Sequence, residues 1–103
     1  MVYVVSVAGE VICASRENGQ VYWITDLNKN VKKKKQRAMF YGPVLASGRL
    51  VVVSDHGKAV ALDPRTGAIK TTIDIGGPAL VEPIAMNDML YVVTDKAELV
   101  AIR

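Results

Sequence analysis

Three stretches of the chain share one pattern of apolar positions. Val2-Tyr3-Val4-Val5-Ser6, Leu50-Val51-Val52-Val53-Ser54 and Leu90-Tyr91-Val92-Val93-Thr94 superpose as apolar runs. Each is followed by a short turn: Val7-Ala8-Gly9, Asp55-His56-Gly57 or Asp95-Lys96-Ala97. Each turn leads to a second apolar run: Val11-Ile12-Cys13-Ala14, Ala59-Val60-Ala61-Leu62 or Leu99-Val100-Ala101-Ile102. Many of these residues are β-branched, which favours strands. No window keeps a 3.6-residue apolar period for more than a few residues, so essentially no helix is expected.

The middle copy shows a complete unit. Pro43-Val44-Leu45-Ala46 ends at the turn pair Ser47-Gly48. Leu50 to Ser54 runs apolar without a break, as a strand buried on both faces does. Asp55-His56-Gly57 closes a tight hairpin in which Gly57 can take a positive φ. Val60 to Leu62 is the third strand, and Asp63-Pro64-Arg65-Thr66-Gly67 is the next turn. Ile69 to Ile75 alternates apolar and polar residues, which predicts an outer strand with one face in water. Gly76-Gly77-Pro78 then breaks the pattern.

The first two copies are offset by 48 residues and the last two by 40. The extra residues fall between the first and second copies, where a lysine run sits. Four-stranded antiparallel units of about 40 residues are the pattern of β-propeller blades. The fold expected is therefore all-β, a partial β-propeller of about two and a half blades. Its divisions are a partial blade at 1–27, a basic inter-blade loop at 28–41, a complete blade at 42–76 and a partial last blade at 77–103. Three, four and three strands make ten. Such a piece cannot close a ring of four to eight blades, and open strand edges invite pairing with other chains. The chain is thus expected to be part of a longer protein or to self-associate. A free-standing twisted sheet or small barrel is the alternative.

Composition narrows the class. Half the residues are hydrophobic and 22% are charged, as in a globular chain. No apolar run approaches the roughly 20 residues that span a bilayer. Met1 to Ala8 lacks the basic flank and cleavage pattern of a signal peptide. Cys13 is the one cysteine and His56 the one histidine, which excludes an internal disulfide and a full structural zinc site. The net charge of +3 is local: Asn28 to Arg37 holds six of the 13 basic residues and none of the ten acidic ones, so the remainder is net −3.

Lys32, Lys33, Lys34, Lys35 and Arg37 are accordingly the candidate partner-binding residues. They read either as an electrostatic patch or as a solvated loop without a partner. Nucleic acid is not expected, because neither a base-stacking platform nor a groove-reading helix is evident. Cys13 aligns with Ala61 and Ala101 and reads as a packed core thiol. His56 reads as a turn residue facing water, and Asp63 as a turn cap. Trp23 reads as a residue packed between blades. No catalytic, cofactor-binding or metal-binding residue is assigned, and no cofactor is expected.

The stretch LVVVSDHGKAVALDPRTGAIKTTI, residues 50–73, resembles the pyrroloquinoline-quinone-type propeller repeat. Gly57, Ala61-Leu62-Asp63 and Thr66-Gly67 carry the resemblance, with Gly9, Asn18-Gly19 and Trp23 in the first copy. GPVLASGRL, IGGPALVEPIAMNDMLYVVTD and the ending LVAIR are similar to the C-terminal blades of BamB-type outer-membrane protein assembly factors. That resemblance implies a C-terminal fragment of a periplasmic, outer-membrane-associated lipoprotein. It also implies a non-catalytic scaffold whose partner is the outer-membrane β-barrel insertase. The family's contact residues cannot be placed on numbered positions here. The alternative is a fragment of a quinone-dependent dehydrogenase, whose paired cysteines and metal-holding carboxylates are not seen in this sequence.

Overall fold

The structure, a computed structural model, describes residues 1–29, 38–46, 48–79, 81–86, 89–95 and 99–102. Among them are ten strands and no helix. Strands β1 (Val2–Val5), β2 (Glu10–Ala14) and β3 (Val21–Asp26) form the first sheet. Strands β4 (Phe40–Ala46), β5 (Arg49–Ser54), β6 (Lys58–Leu62) and β7 (Ile69–Asp74) form the second, in that order. Strands β8 (Ile84–Met86), β9 (Met89–Val93) and β10 (Leu99–Ile102) form the third. Every pairing within the sheets is antiparallel, and the whole is a partial β-propeller.

The sequence repeat is a repeat of register. Val4 pairs with Ile12, Val52 with Val60 and Val92 with Val100. The pairing slips between Cys13 and Ala14 in the first sheet, and between Ala61 and Leu62 at the equivalent place in the second. Turn bonds repeat as well. Gly19 N–H donates to Ser15 O at 3.0 Å, and Gly67 N–H to Asp63 O at 2.8 Å. Leu27 N–H donates to Gly9 O and Ile75 N–H to Gly57 O, both at 2.9 Å.

The core lies on both sides of the second sheet. Successive strand residues point to opposite faces, so the apolar run of β5 has to be covered twice. Leu50 and Val52, with Val60 and Leu62 of β6, pack against Val11, Tyr3, Val5, Trp23 and Leu27 of the first sheet and its following turn. Val53 and Ala59 pack against Ile75, Ala79 and Val92, and Val51 and Ala61 against Leu90. Full burial of each Val or Leu contributes about 1.5–3 kcal/mol, so these two seams supply most of the cohesion between sheets.

Two details depart from the sequence expectation. The outer strand β7 is exposed at every position, including both of its isoleucines, Ile69 and Ile73. Its alternation therefore marks no buried face among the described residues, because the third sheet covers β5 and β6 and stops short of β7. Strand β4 begins at Phe40, ahead of Gly42-Pro43. Phe40 and Tyr41 pair with Ser54 and Val53, and a register shift between Tyr41 and Val44 absorbs the Gly-Pro step.

Candidate protein-interaction surface

The basic residues Lys32, Lys33, Lys34, Lys35 and Arg37 lie outside the described residues, but both roots of their segment are defined. Asn28 is buried just beyond β3. Its Nδ2 donates to Ala8 O at 3.2 Å and to Ala38 O at 3.1 Å, and its Oδ1 accepts from Ala38 N–H at 3.2 Å. Asn28 N–H in turn donates to Asp26 Oδ1 at 2.9 Å. One amide side chain thus fastens residue 28 to residue 38. The chain is fixed again by Met39 N–H donating to Asp55 Oδ1 at 2.9 Å, and Asp55 N–H to Met39 O at 3.0 Å. The sequence reading gave Asn28 no role, since it belonged to the loop composition. The one available signal was an Asp-x-Asn step at a strand end, which is weak.

A groove of about 280 Å³ opens beside this clamp, lined by Leu27, Ala38, Phe40, His56, Lys58 and Val60 among others. His56 is exposed on the β5–β6 turn, its Nε2 3.8 Å from Asp55 Oδ1. Lys58 Nζ lies 3.5 Å from Asp74 Oδ2. Hydrogen bonding from Gly76 N–H, and then the Lys58 charge, hold the Asp74 carboxyl below the ordinary aspartate range.

At the opposite ends of these strands the β6–β7 turn joins the first sheet to the second. Trp23 Nε1–H donates to Pro64 O at 3.1 Å, and the Thr25 hydroxyl to Gly67 O at 2.6 Å. The rings of Tyr3 and Trp23 lie 6.2 Å apart at a 38° tilt. Gly67 sits at φ +78°, and a side chain there would run into the Trp23 ring. Asp63 Oδ1 accepts from Arg65 N–H at 2.8 Å, which holds the turn in shape. Burial pushes the Tyr3 phenol up, and the nearby Cys13 adds to the effect.

Cys13 is buried, with its Sγ 3.5 Å from Met1 Sδ. Among the described residues no three His, Cys, Asp or Glu side chains come together in a way that could hold a metal ion. The described surface presents turns, a groove and the fastened root of the basic segment. A family model described as outer membrane protein assembly factor BamB matches residues 31–103, which include the basic run and all of the second and third sheets. No curated protein matches the chain.

Proposed function

The chain belongs to the outer membrane protein assembly factor BamB family, and from that membership we propose that it is a non-catalytic propeller scaffold for protein–protein contact. It works as part of a periplasmic lipoprotein that assists insertion of β-barrel proteins into the bacterial outer membrane. The observation that carries this reading is the family match across residues 31–103.

The partner is the outer-membrane β-barrel insertase. Lys32, Lys33, Lys34, Lys35 and Arg37 provide an electrostatic contact to it. Opposite charge across an interface steers encounter and fades with added salt. The test is co-purification of the chain with the periplasmic part of the insertase at low and at moderate salt. Retention at low salt, weakened when the five basic residues are replaced by glutamine, is the expected result. Recovery of nothing at either salt concentration overturns the reading.

A further inference from the structure

The turn ends carry two clefts with the same backbone and different charge. One, of about 460 Å³, is lined by Gly48, Arg49, Asp63, Pro64, Arg65 and Lys70. The other, of about 410 Å³, is lined by Met1, Ser15, Arg16, Glu17 and Tyr22. The five residues of the second stand 48 positions before Arg49, Asp63, Pro64, Arg65 and Lys70 of the first. The repeat therefore casts one mould twice and fills it differently. Met1, Glu17 and Tyr22 in the first sheet become Arg49, Arg65 and Lys70 in the second.

The charges of the second-sheet cleft do not balance internally. Asp63 is its one carboxylate. Its Oδ1 is engaged by the Arg65 backbone N–H at 2.8 Å, and its Oδ2 lies 3.9 Å from Lys70 Nζ. Among the described residues the ion pairs belong to His56, Lys58 and Lys70, so neither Arg49 nor Arg65 has a carboxylate partner there. Both guanidinium groups are on exposed residues. In the first-sheet cleft Arg16 and Glu17 cancel.

We propose that the cleft between the β4–β5 and β6–β7 turns docks an acidic segment of a partner protein. Arg49 and Arg65 each take a carboxylate in the planar, two-pronged manner that suits guanidinium. The volume falls within the range of about 300–1,000 Å³ typical of ligand sites, enough for a few side chains of an extended segment. A peptide is favoured over a nucleic acid because the cleft offers no ring for a base to stack on. The one ring at an equivalent position, Tyr22, is in the first-sheet cleft, whose side-chain charges cancel. This site lies at the far end of β4 from Ala38, so it is separate from the contact proposed for the basic segment.

The test uses the full chain with Lys32, Lys33, Lys34, Lys35 and Arg37 replaced by glutamine, so that only the cleft is read. A fluorescein-labelled eight-residue peptide of alternating Asp and Glu is titrated and followed by anisotropy. Saturable one-to-one binding is expected. Arg49→Gln with Arg65→Gln weakens it by roughly tenfold, as the loss of charge-assisted bonds predicts, with the circular dichroism spectrum unchanged. Glu17→Arg with Tyr22→Lys rebuilds the charge in the first-sheet cleft and raises the stoichiometry to two. The proposal is overturned if the double glutamine variant binds as well as its parent. It is also overturned if inorganic phosphate displaces the peptide at matched charge, which would mark a general oxyanion site. Tighter binding of single-stranded oligouridylate than of the peptide would overturn it too.

Discussion

Val4 and Val52 occupy the same place in the repeat, one in the first sheet and one in the second. They pair with Ile12 and Val60 in the same register and run into turns of the same form. Val4 is nevertheless 46% exposed and Val52 is fully buried. Val2 and Leu50 repeat the contrast at 37% and 1%. The second sheet has a sheet on either side, whereas the first is covered on one face. Local sequence therefore decides backbone geometry in both sheets, and neighbours decide how much each apolar residue stabilises.

The largest effect that separates the two sheets is cavity formation. Leu50→Ala is expected to cost about 2–5 kcal/mol, because its surroundings on both sheets can collapse only in part. Val2→Ala, on the open face, is expected to stay within about 0.5 kcal/mol. Urea midpoints of the two variants measure this, and equal losses would show that the first sheet is as well covered as the second. A smaller contrast lies in the turns. Gly19 and Gly67 both have φ near +75°, at +73° and +78°. A side chain at Gly19 meets nothing within 4 Å, whereas one at Gly67 meets Thr25 Oγ1 at 2.6 Å and the Trp23 ring. Gly19→Ala then carries the left-handed penalty alone, about 1–2 kcal/mol. Gly67→Ala adds overpacking of about 1–3 kcal/mol and should also quench or shift Trp23 fluorescence.

These contrasts explain how much could be read before the structure. The ten strands, the hairpin at Gly57 and the double burial of β5 follow from apolar pattern and turn chemistry, which are local. The packing role of Trp23 was legible because a bulky aromatic at an outgoing strand wants cover, although its partner, the carbonyl of Pro64, lies 41 residues away and was not. The exposure of β7 was misjudged for the same reason: alternation says that one face can be buried, and only a neighbouring element can bury it. Equally hidden were the Asn28 clamp and the two matching clefts. Each is made of residues distant in sequence whose convergence depends on how the connections close.

Asn28 gives the next prediction, since Gly76 holds the same place after β7 and has no side chain with which to clamp. Asn28→Ala leaves the Ala38 N–H and two carbonyls without their partner, at a cost of about 1–3 kcal/mol. Asn28→Asp keeps an acceptor for Ala38 N–H but sets a buried carboxylate oxygen against the Ala8 and Ala38 carbonyls, so it should cost at least as much as the alanine. Hydrogen exchange at the Ala38 amide is the direct readout. It should speed up markedly in both variants. Exchange that is unchanged in both would mean that the connection is held by something other than this side chain.

The gentlest contrast is electrostatic. Lys58 faces Asp74 across β6 and β7, while Glu10 faces Asp26 at the equivalent place across β2 and β3. One sheet opposes unlike charges and the other opposes like charges, and such pairs differ in sign. The Asp74 carboxyl is held below the ordinary aspartate range, first by Gly76 N–H and then by Lys58. A depressed carboxyl stabilises the fold above the pKa it has when unfolded, and that contribution is lost as pH falls through its lowered folded value. Asp74→Asn should therefore be less stable than the parent near neutrality, with the gap closing on acidification. Both side chains are more than half exposed, so added salt should shrink the gap as well. In the first sheet the change runs the other way. Glu10→Lys creates the pair that the second sheet already has and should stabilise by about 0.2–1 kcal/mol near neutrality. Urea midpoints across a pH series read both effects. A gain from Glu10→Lys that persisted in high salt would mean that the lysine acts through its aliphatic stem and not through its charge.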